Sequence, residues 1–475
     1  MGSLDPPLFR VSKIAIIGAG PAGLATAKYL RDQGDFESIV VFEQQDEVGG
    51  IWNYSDVAPG PYPVPQLDPF FPPDAPVPSS SSSQGAPVFP SPIYDRLHAN
   101  IPAALMSFSD RPFPGGSRLF PTRQDIQAYL VRYAEDVRHL VRFCVAVTSV
   151  VREDHDGRDR WRLEAQSTVD GTMVVQDVFD AVVVANGHYS VPFIPLMANI
   201  EAFHKAHPSV ITHSKQYRRA DDFKDAKVVV VGNGPSGVDL ALQINQVSRG
   251  RTILSVRTPT SPDKLAHTGC EEVPEIAEFL PEQRAVRFKD GRVDTNIDAV
   301  VFCTGFLFSY PFLPDLQPKL ITNGQGVHGL YKHLISIRHP TLVFPALNMK
   351  SVPWQVSEAQ AALVAAVWSN NLALPAREEM ERWSKELEER EGESLHVFAT
   401  FGDGHYINEL HDLVATAEKT GKPAPRWDDE LFWQRSVFSD AKLRFEKQGC
   451  KATTLGELGL HYDPDWRRST CCADD

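Results

Sequence analysis

A chain of 475 residues, 42% hydrophobic and 23% charged, has an ordinary globular composition and enough length for two or three domains. Its formal net charge of −14 argues against nucleic acid and anionic membrane surfaces as partners, and no apolar run reaches the length of a membrane span. The cysteines at 144, 270, 303, 450, 471 and 472 form no C-x-x-C or zinc pattern, so the expectation is no metal, no structural disulfide and a reducing, cytoplasmic setting.

The N-terminus lacks a basic-then-apolar leader. Gly2 lacks the downstream Ser or Thr of a myristoylation signal, and Cys472-Ala-Asp-Asp is a poor prenylation box. The first patterned stretch is Lys13–Gly23, KIAIIGAGPAG. Lys13 to Ile17 reads as a buried parallel strand, and a helical pattern follows through Leu24–Leu30. Between them Gly18, Gly20 and Gly23 make G-x-G-x-x-G, with Pro21 and Ala22 inside it. Gly18 serves the tight turn, Gly20 leaves room for a pyrophosphate, and Gly23 lets helix and strand pack closely. The pyrophosphate would sit on the helix N-terminus, where free N–H groups favour an anion. A second strand, Ile39–Phe42, ends at Glu43, twenty residues past Gly23, where a carboxylate can accept from adenosine ribose hydroxyls. The stretch Glu47-Val-Gly-Gly-Ile-Trp52 follows. Its paired glycines let backbone pass close to a flat ligand, so Gly50, Ile51 and Trp52 are candidate contacts.

Residues 58–92 are dense in proline and serine and read as a surface excursion that leaves and rejoins the first domain. Tyr94-Asp-Arg-Leu-His-Ala-Asn100-Ile-Pro102 comes next; taken alone, Asn100 is a turn residue. Helical spacing runs over Arg123–Val141. Three strands, Phe143–Val151, Trp161–Ala165 and Met173–Val178, suggest a β-meander on the main sheet, with Val147 a candidate ligand contact. Phe179–Ala185 reads as another buried strand, ending in Asn186-Gly187-His188-Tyr189.

Lys227–Gly237, KVVVVGNGPSG, repeats the first unit: strand, then Gly232, Gly234, Pro235, Ser236 and Gly237, then a helix over Val238–Ile244. After the strand Ile253–Val256, the position twenty residues past Gly237 is Arg257, not an acid. A guanidinium there suits a 2′-phosphate, so NADP(H) is favoured over NAD. Asn296–Phe302 is the last strand of this smaller unit and runs into Cys303-Thr304-Gly305-Phe306, a crossing back to the first domain that pairs with Ala185–Tyr189 as a hinge. Leu342–Leu347 reads as a strand. Pro353–Glu358 precedes a helix over Ala359–Trp368, and that N-terminal region, Val356 included, is placed to face a flat cofactor. Arg377–Glu391 is a charge-laced helix, and the aromatic tail from Trp427 should pack on the core.

The predicted fold is α/β: two Rossmann-like dinucleotide-binding domains, the smaller NADP domain (216–305) inserted in the larger FAD domain (10–215 and 306–475). The chain resembles the flavin-containing monooxygenases, the class B single-component type in its fungal and yeast-like form. The carriers are GAGPAG, EVGGIW, YDRLHANIP, ANGHYSVPFIP, HSKQYR at 213–218, GNGPSG and CTGF, spread over roughly residues 10–370. One departure stands out. The family fingerprint F-x-G-x-x-x-H-x-x-x-(F/Y) keeps His213 and Tyr217 but has His207 and Ser209 where Phe and Gly belong. Baeyer–Villiger relatives carry Trp at the last position, so Tyr217 leans toward heteroatom oxygenation.

The resemblance implies FAD in the first unit and NADP(H) in the second, with Thr304, Gly305 and Gly187 near the cofactors. It further implies a flavin C4a-hydroperoxide that gives an oxygen atom to a soft nitrogen or sulfur. By the same resemblance Asn100, in the AN motif, is the catalytic residue, donating through its amide, and also a cofactor contact. The partners implied are O2 and a small-molecule amine, indole or thioether, with a homodimer as a candidate assembly. The alternatives left open are a Baeyer–Villiger monooxygenase, a flavin-dependent disulfide reductase, which would need a redox cysteine pair, and a non-catalytic flavoprotein.

Overall fold

The computed structural model describes residues 9–77, 86–316 and 319–467; Gly2, the serine run 79–83, and Cys471 and Cys472 lie outside them. Two sheets organise the chain, the first mixed and the second parallel. The first has seven strands in the order Leu330–Tyr331, Ile335–Ser336, Leu342–Val343, Ala181–Val184, Lys13–Ile17, Ser38–Phe42, Val141–Arg142. From Leu342–Val343 onward its pairs are parallel. The second has five strands, all parallel, in the order Glu271–Pro274, Ile253–Val256, Val228–Val231, Ala299–Phe302, Ile211–His213. Central strands of both are apolar over nearly their whole length because helices or a meander cover both faces. Ile14, Ala15 and Ile16 are fully buried, as are Val229 and Val230.

Each sheet launches a helix from a glycine turn: Pro21–Gln33 from the first and Pro235–Asn245 from the second. In both, proline takes the first helical turn, where its missing N–H costs nothing. The meander is a separate antiparallel sheet of Val145–His155, Arg158–Ser167 and Met173–Phe179. The charge-laced helix covers Arg377–Glu391. The aromatic tail does pack inward: Trp427, Phe432 and Trp433 are buried in the main core, and the last long helix is Asp429–Lys447.

Some expected elements are redrawn. The helix expected over Arg123–Val141 stops at Ala134; a 3-10 turn at Arg138–Leu140 follows, and Val141–Arg142 is taken up as the edge strand beside Ser38–Phe42. Glu135 and Asp136 sit where the helix would continue, and acids oppose the dipole at a C-terminus. Pro353 opens the helix Pro353–Trp368 instead of preceding it. The strand expected over Leu342–Leu347 is only Leu342–Val343.

The described part of the proline-rich excursion is mostly exposed or half-buried, and it is anchored at a few buried points, some of them on the second unit. Tyr62 is 6% exposed and shares a core with Val229, Phe279 and Phe302. Gln66 makes an antiparallel bridge with Ile194. Proline prevents a continuous ladder, but an isolated bridge and apolar burial suffice to anchor the segment.

Candidate functional site

The two glycine turns have the same geometry. At Gly18 and Gly232 φ is +101°, a region L side chains rarely adopt. A Cβ on Gly23 would lie 1.9 Å from the Gly18 carbonyl oxygen, and one on Gly237 equally close to that of Gly232. These four glycines are required by the turns themselves. Gly20 and Gly234 are different. Their φ values, −74° and −62°, suit any residue. A Cβ on Gly20 would meet only the Gly50 backbone, Cα at an ordinary 3.7 Å and N at 4.0 Å, and one on Gly234 would meet nothing within 4 Å. Nothing within the described chain demands glycine there, and both positions lie at a helix N-terminus, where free N–H groups suit an anion.

Around the first turn, Glu43 is 3% exposed and its carboxylate accepts from the N–H groups of Ala19 (2.8 Å) and Gln45 (2.9 Å). Burial pushes its carboxyl up to about 7, against those hydrogen bonds. The Glu43 carbonyl accepts from Val145 N–H (2.9 Å), which brings half-buried Val147 close along the same strand. Pro21, Ala22, Gly50, Ile51 and Trp52 are all partly exposed near this turn. Gln127, which the sequence did not single out, donates to Val48 O (2.8 Å) beneath the paired glycines, while its own oxygen is buried without a partner among the described residues.

Around the second turn, Gly234, Pro235 and Ser236 are exposed. Arg257 follows the strand Ile253–Val256; its side chain is 87% exposed and its Nε lies 3.2 Å from Glu275. The two crossings run side by side. Val191–Pro192 and Phe306–Leu307 form a short antiparallel ribbon, Gly305 O accepts from Phe193 N–H (3.0 Å), and the Thr304 hydroxyl donates to Phe193 O. Gly187 and Gly305 are exposed beside this ribbon.

His213 locks that junction. Its Nε2 donates to Gly305 O (3.0 Å) and its Nδ1 accepts from Lys215 N–H (3.1 Å). Burial lowers its pKa to about 3, so it is a neutral structural imidazole. Tyr217 is 2% exposed and its hydroxyl donates to Gln243 (3.0 Å), so it packs the second unit's core and does not line an open cleft. Lys215, 2% exposed, pairs with Asp74 and donates to Ser190 O (2.6 Å), while Tyr62 O–H donates to Asp74 (3.1 Å). A buried ion pair thus ties the excursion to the crossing; no sequence pattern marked it.

Asn100 sits in a loop strapped across the junction. Tyr94 packs edge-on to Tyr217 and bonds Asp239, and Asp95 N–H donates to Arg218 O (3.0 Å). Ala99 N–H donates to Pro121 O (2.8 Å), and Ala103 N–H to Leu119 O (2.8 Å). The backbone is pinned on both sides, while the partly exposed Asn100 side chain makes no hydrogen bond among the described residues. Val356 is not brought to the open clefts. It is fully buried, and its N–H bonds Val352 O (3.2 Å). At the N-cap of that helix buried Asp403 accepts from Val352 N–H (3.2 Å) and pairs with Arg435 (2.8 Å).

A model of the flavin-binding monooxygenase-like family matches residues 88–261 and 262–424. The chain belongs to this family. A model of an NAD(P)-binding Rossmann-like domain matches residues 16–68. Flavin-containing monooxygenase FMO GS-OX-like 2 of Arabidopsis thaliana is 35% identical over 396 residues, 79% of this chain and 77% of that one. The thiol-specific monooxygenase of Saccharomyces cerevisiae is 28% identical over 91% of this chain and 93% of that one. Among solved structures, the S-allyl-L-cysteine S-oxygenase from Allium sativum superposes with a TM-score of 0.74 at 25% identity, covering 98% and 99% of the two chains. The protein is an FAD-dependent monooxygenase that uses NADPH, with O2 and a small molecule as its substrates. Among the described residues, no helix is long and apolar enough to cross a membrane.

Proposed function

We propose that this monooxygenase oxygenates a soft nucleophile, nitrogen or sulfur, with sulfur preferred. The observation that supports the reading is the Asn100 loop: its backbone is fixed on either side by the Ala99–Pro121 and Ala103–Leu119 bonds, its Tyr94–Asp95 end bonds the second unit, and the Asn100 amide is left without a partner among the described residues. A preorganised neutral donor of that kind favours charge developing on oxygen and needs no titration. The preference for sulfur is supported by the S-oxygenase and thiol-specific relatives. Bound FAD would supply the electron transfer and oxygen activation. The chain's own residues would bind and orient it: Gly18, Gly20 and Gly23 at the pyrophosphate, Glu43 at the ribose, and Gly232, Gly234 and Gly237 at the NADP pyrophosphate. The domain partition at 215/216 and 305/306 belongs to the same reading. The test is a screen of thioethers, thiols, amines and indoles for oxygenated product matched to NADPH consumed. Product from cyclic ketones, with none from any of those four classes, would favour the Baeyer–Villiger alternative.

Arg257 is proposed to hold the 2′-phosphate. Charge-assisted phosphate pairs are worth about 1.5–3 kcal/mol, but exposure and competition from Glu275 place this one at the low end. Arg257→Ala should raise the KM for NADPH about tenfold and leave that for NADH within about twofold. Equal changes for both cofactors would remove the assignment.

Glu43 gives a pH dependence. Its folded value near 7 lies above its unfolded value of 4.5, so its contribution to the stability of the FAD-free protein is present below 4.5 and lost as pH rises through 7. Ribose hydroxyls donate to the carboxylate and so favour its charged form. FAD affinity should therefore fall up to about tenfold per pH unit as pH drops below 7. Flavin fluorescence titrations of the FAD-free protein measure this, and Glu43→Gln should flatten the profile.

A further inference from the structure

The helix Asp429–Lys447 starts beyond residue 424, where the family match ends, yet it reaches the Asn100 loop. Lys442 Nζ donates to the Ala99 carbonyl at 3.0 Å. That oxygen belongs to the Ala99–Asn100 peptide. The peptide is planar, so fixing its oxygen fixes the orientation in which Asn100 begins. On the other side, Ile101 precedes Pro102 and is itself restricted. The Lys442 ammonium nitrogen also lies over the rings of Phe120 (5.3 Å to the centroid) and Phe445 (5.8 Å), and Phe445 packs edge-on to His98 in the same loop (5.7 Å). One oxygen of Glu446 lies 3.4 Å from Lys442 Nζ, and the other is 3.1 Å from His267 Nε2. His267 stands on the helix Pro262–Thr268 of the second unit.

We propose that Lys442 is a positioning residue for oxygenation: its ammonium sets where the Asn100 amide points, and Glu446 ties that setting to the NADP-binding unit through His267. The proposal rests on the reading of Asn100 given above. Lys442 touches neither reacting atoms nor, in this reading, cofactor; it acts through the Ala99 carbonyl. A lysine that only packed its stem would be replaceable by methionine, because the methylenes, not the donor, would carry its role.

The experiment uses the full chain with FAD bound, and the FAD-free protein for one readout. Lys442→Met keeps the length and apolar stem but removes the donor. Flavin content and the rate of flavin bleaching by NADPH should stay within about twofold of the parent, since neither depends on Asn100 orientation. Product per NADPH should fall about fivefold to tenfold, with hydrogen peroxide making up the difference. In the FAD-free protein, hydrogen exchange over residues 99–103 should quicken about tenfold, a readout independent of turnover. Lys442→Arg, which restores a donor, should recover most of the coupling. The double variant with Asn100→Ala should be no less coupled than Asn100→Ala alone. If Lys442→Met fails to fold, Lys442→Gln is judged by the same criteria. A well-coupled Lys442→Met beside an uncoupled Asn100→Ala overturns this proposal and leaves the role of Asn100 standing. An additive double variant also overturns it. A well-coupled Asn100→Ala removes the role of Asn100 itself, and this proposal with it.

Discussion

Gly20→Val is expected to purify folded and colourless. Position 20 has φ −74° and ψ −178°, ordinary extended backbone, and the added Cβ meets nothing closer than 3.7 Å. The side chain would instead fill the space where the FAD pyrophosphate approaches the helix N-terminus, and overlap with bound phosphate cannot be relieved by moving a flexible group. Thermal unfolding of the variant should match that of the FAD-free parent, while absorbance at flavin wavelengths is lost. Gly23→Ala is the contrast. Its Cβ would fall 1.9 Å from a backbone oxygen, so it should fail in folding and not merely in binding. Gly234→Val tests the second cradle in the same way and should stay yellow while losing saturation by NADPH. A Gly20→Val protein that carries a full complement of flavin would show that FAD lies elsewhere.

The second large effect is expected at Asn100. Asn100→Ala should take up FAD normally and be bleached by NADPH at a similar rate, because the pyrophosphate and ribose contacts are assigned to other residues, Gly18, Gly20, Gly23 and Glu43. What should fail is the use of oxygen. Removing one preorganised donor commonly costs about 2.7–4 kcal/mol of stabilisation, a factor on the order of a hundred or more. Most NADPH would then be spent on hydrogen peroxide. Coupling efficiency with peroxide assayed alongside is the measurement. The loop's backbone bonds at Ala99 and Ala103 do not involve the Asn100 side chain, so the variant should fold. A variant that cannot bind FAD would make Asn100 a flavin-binding residue, and a variant that stays coupled would return it to a turn residue.

The sequence by itself determined both glycine turns, the strands that feed them and the launching helices. These signals are local: an apolar run, a tight turn and a helical stripe are written within about thirty residues, and the turn sterics repeat from Gly18 and Gly23 to Gly232 and Gly237. It also determined the charged helix at Arg377–Glu391, where only one narrow face is buried. Tertiary structure decided the rest. The proline-rich segment carries no periodicity, so its docking depends on Asp74 meeting Lys215, 141 residues away. Val356 carried a plausible helix-dipole argument, but buried Asp403, supplied from a later helix, already engages the start of that helix. Lys442 looks like any lysine on an amphipathic helix; only the fold brings it to Ala99 across 343 residues. Local sterics can be read in order along a chain, whereas the partner of a buried charge or a carbonyl is chosen by packing, which brings distant residues together without leaving a pattern near either one.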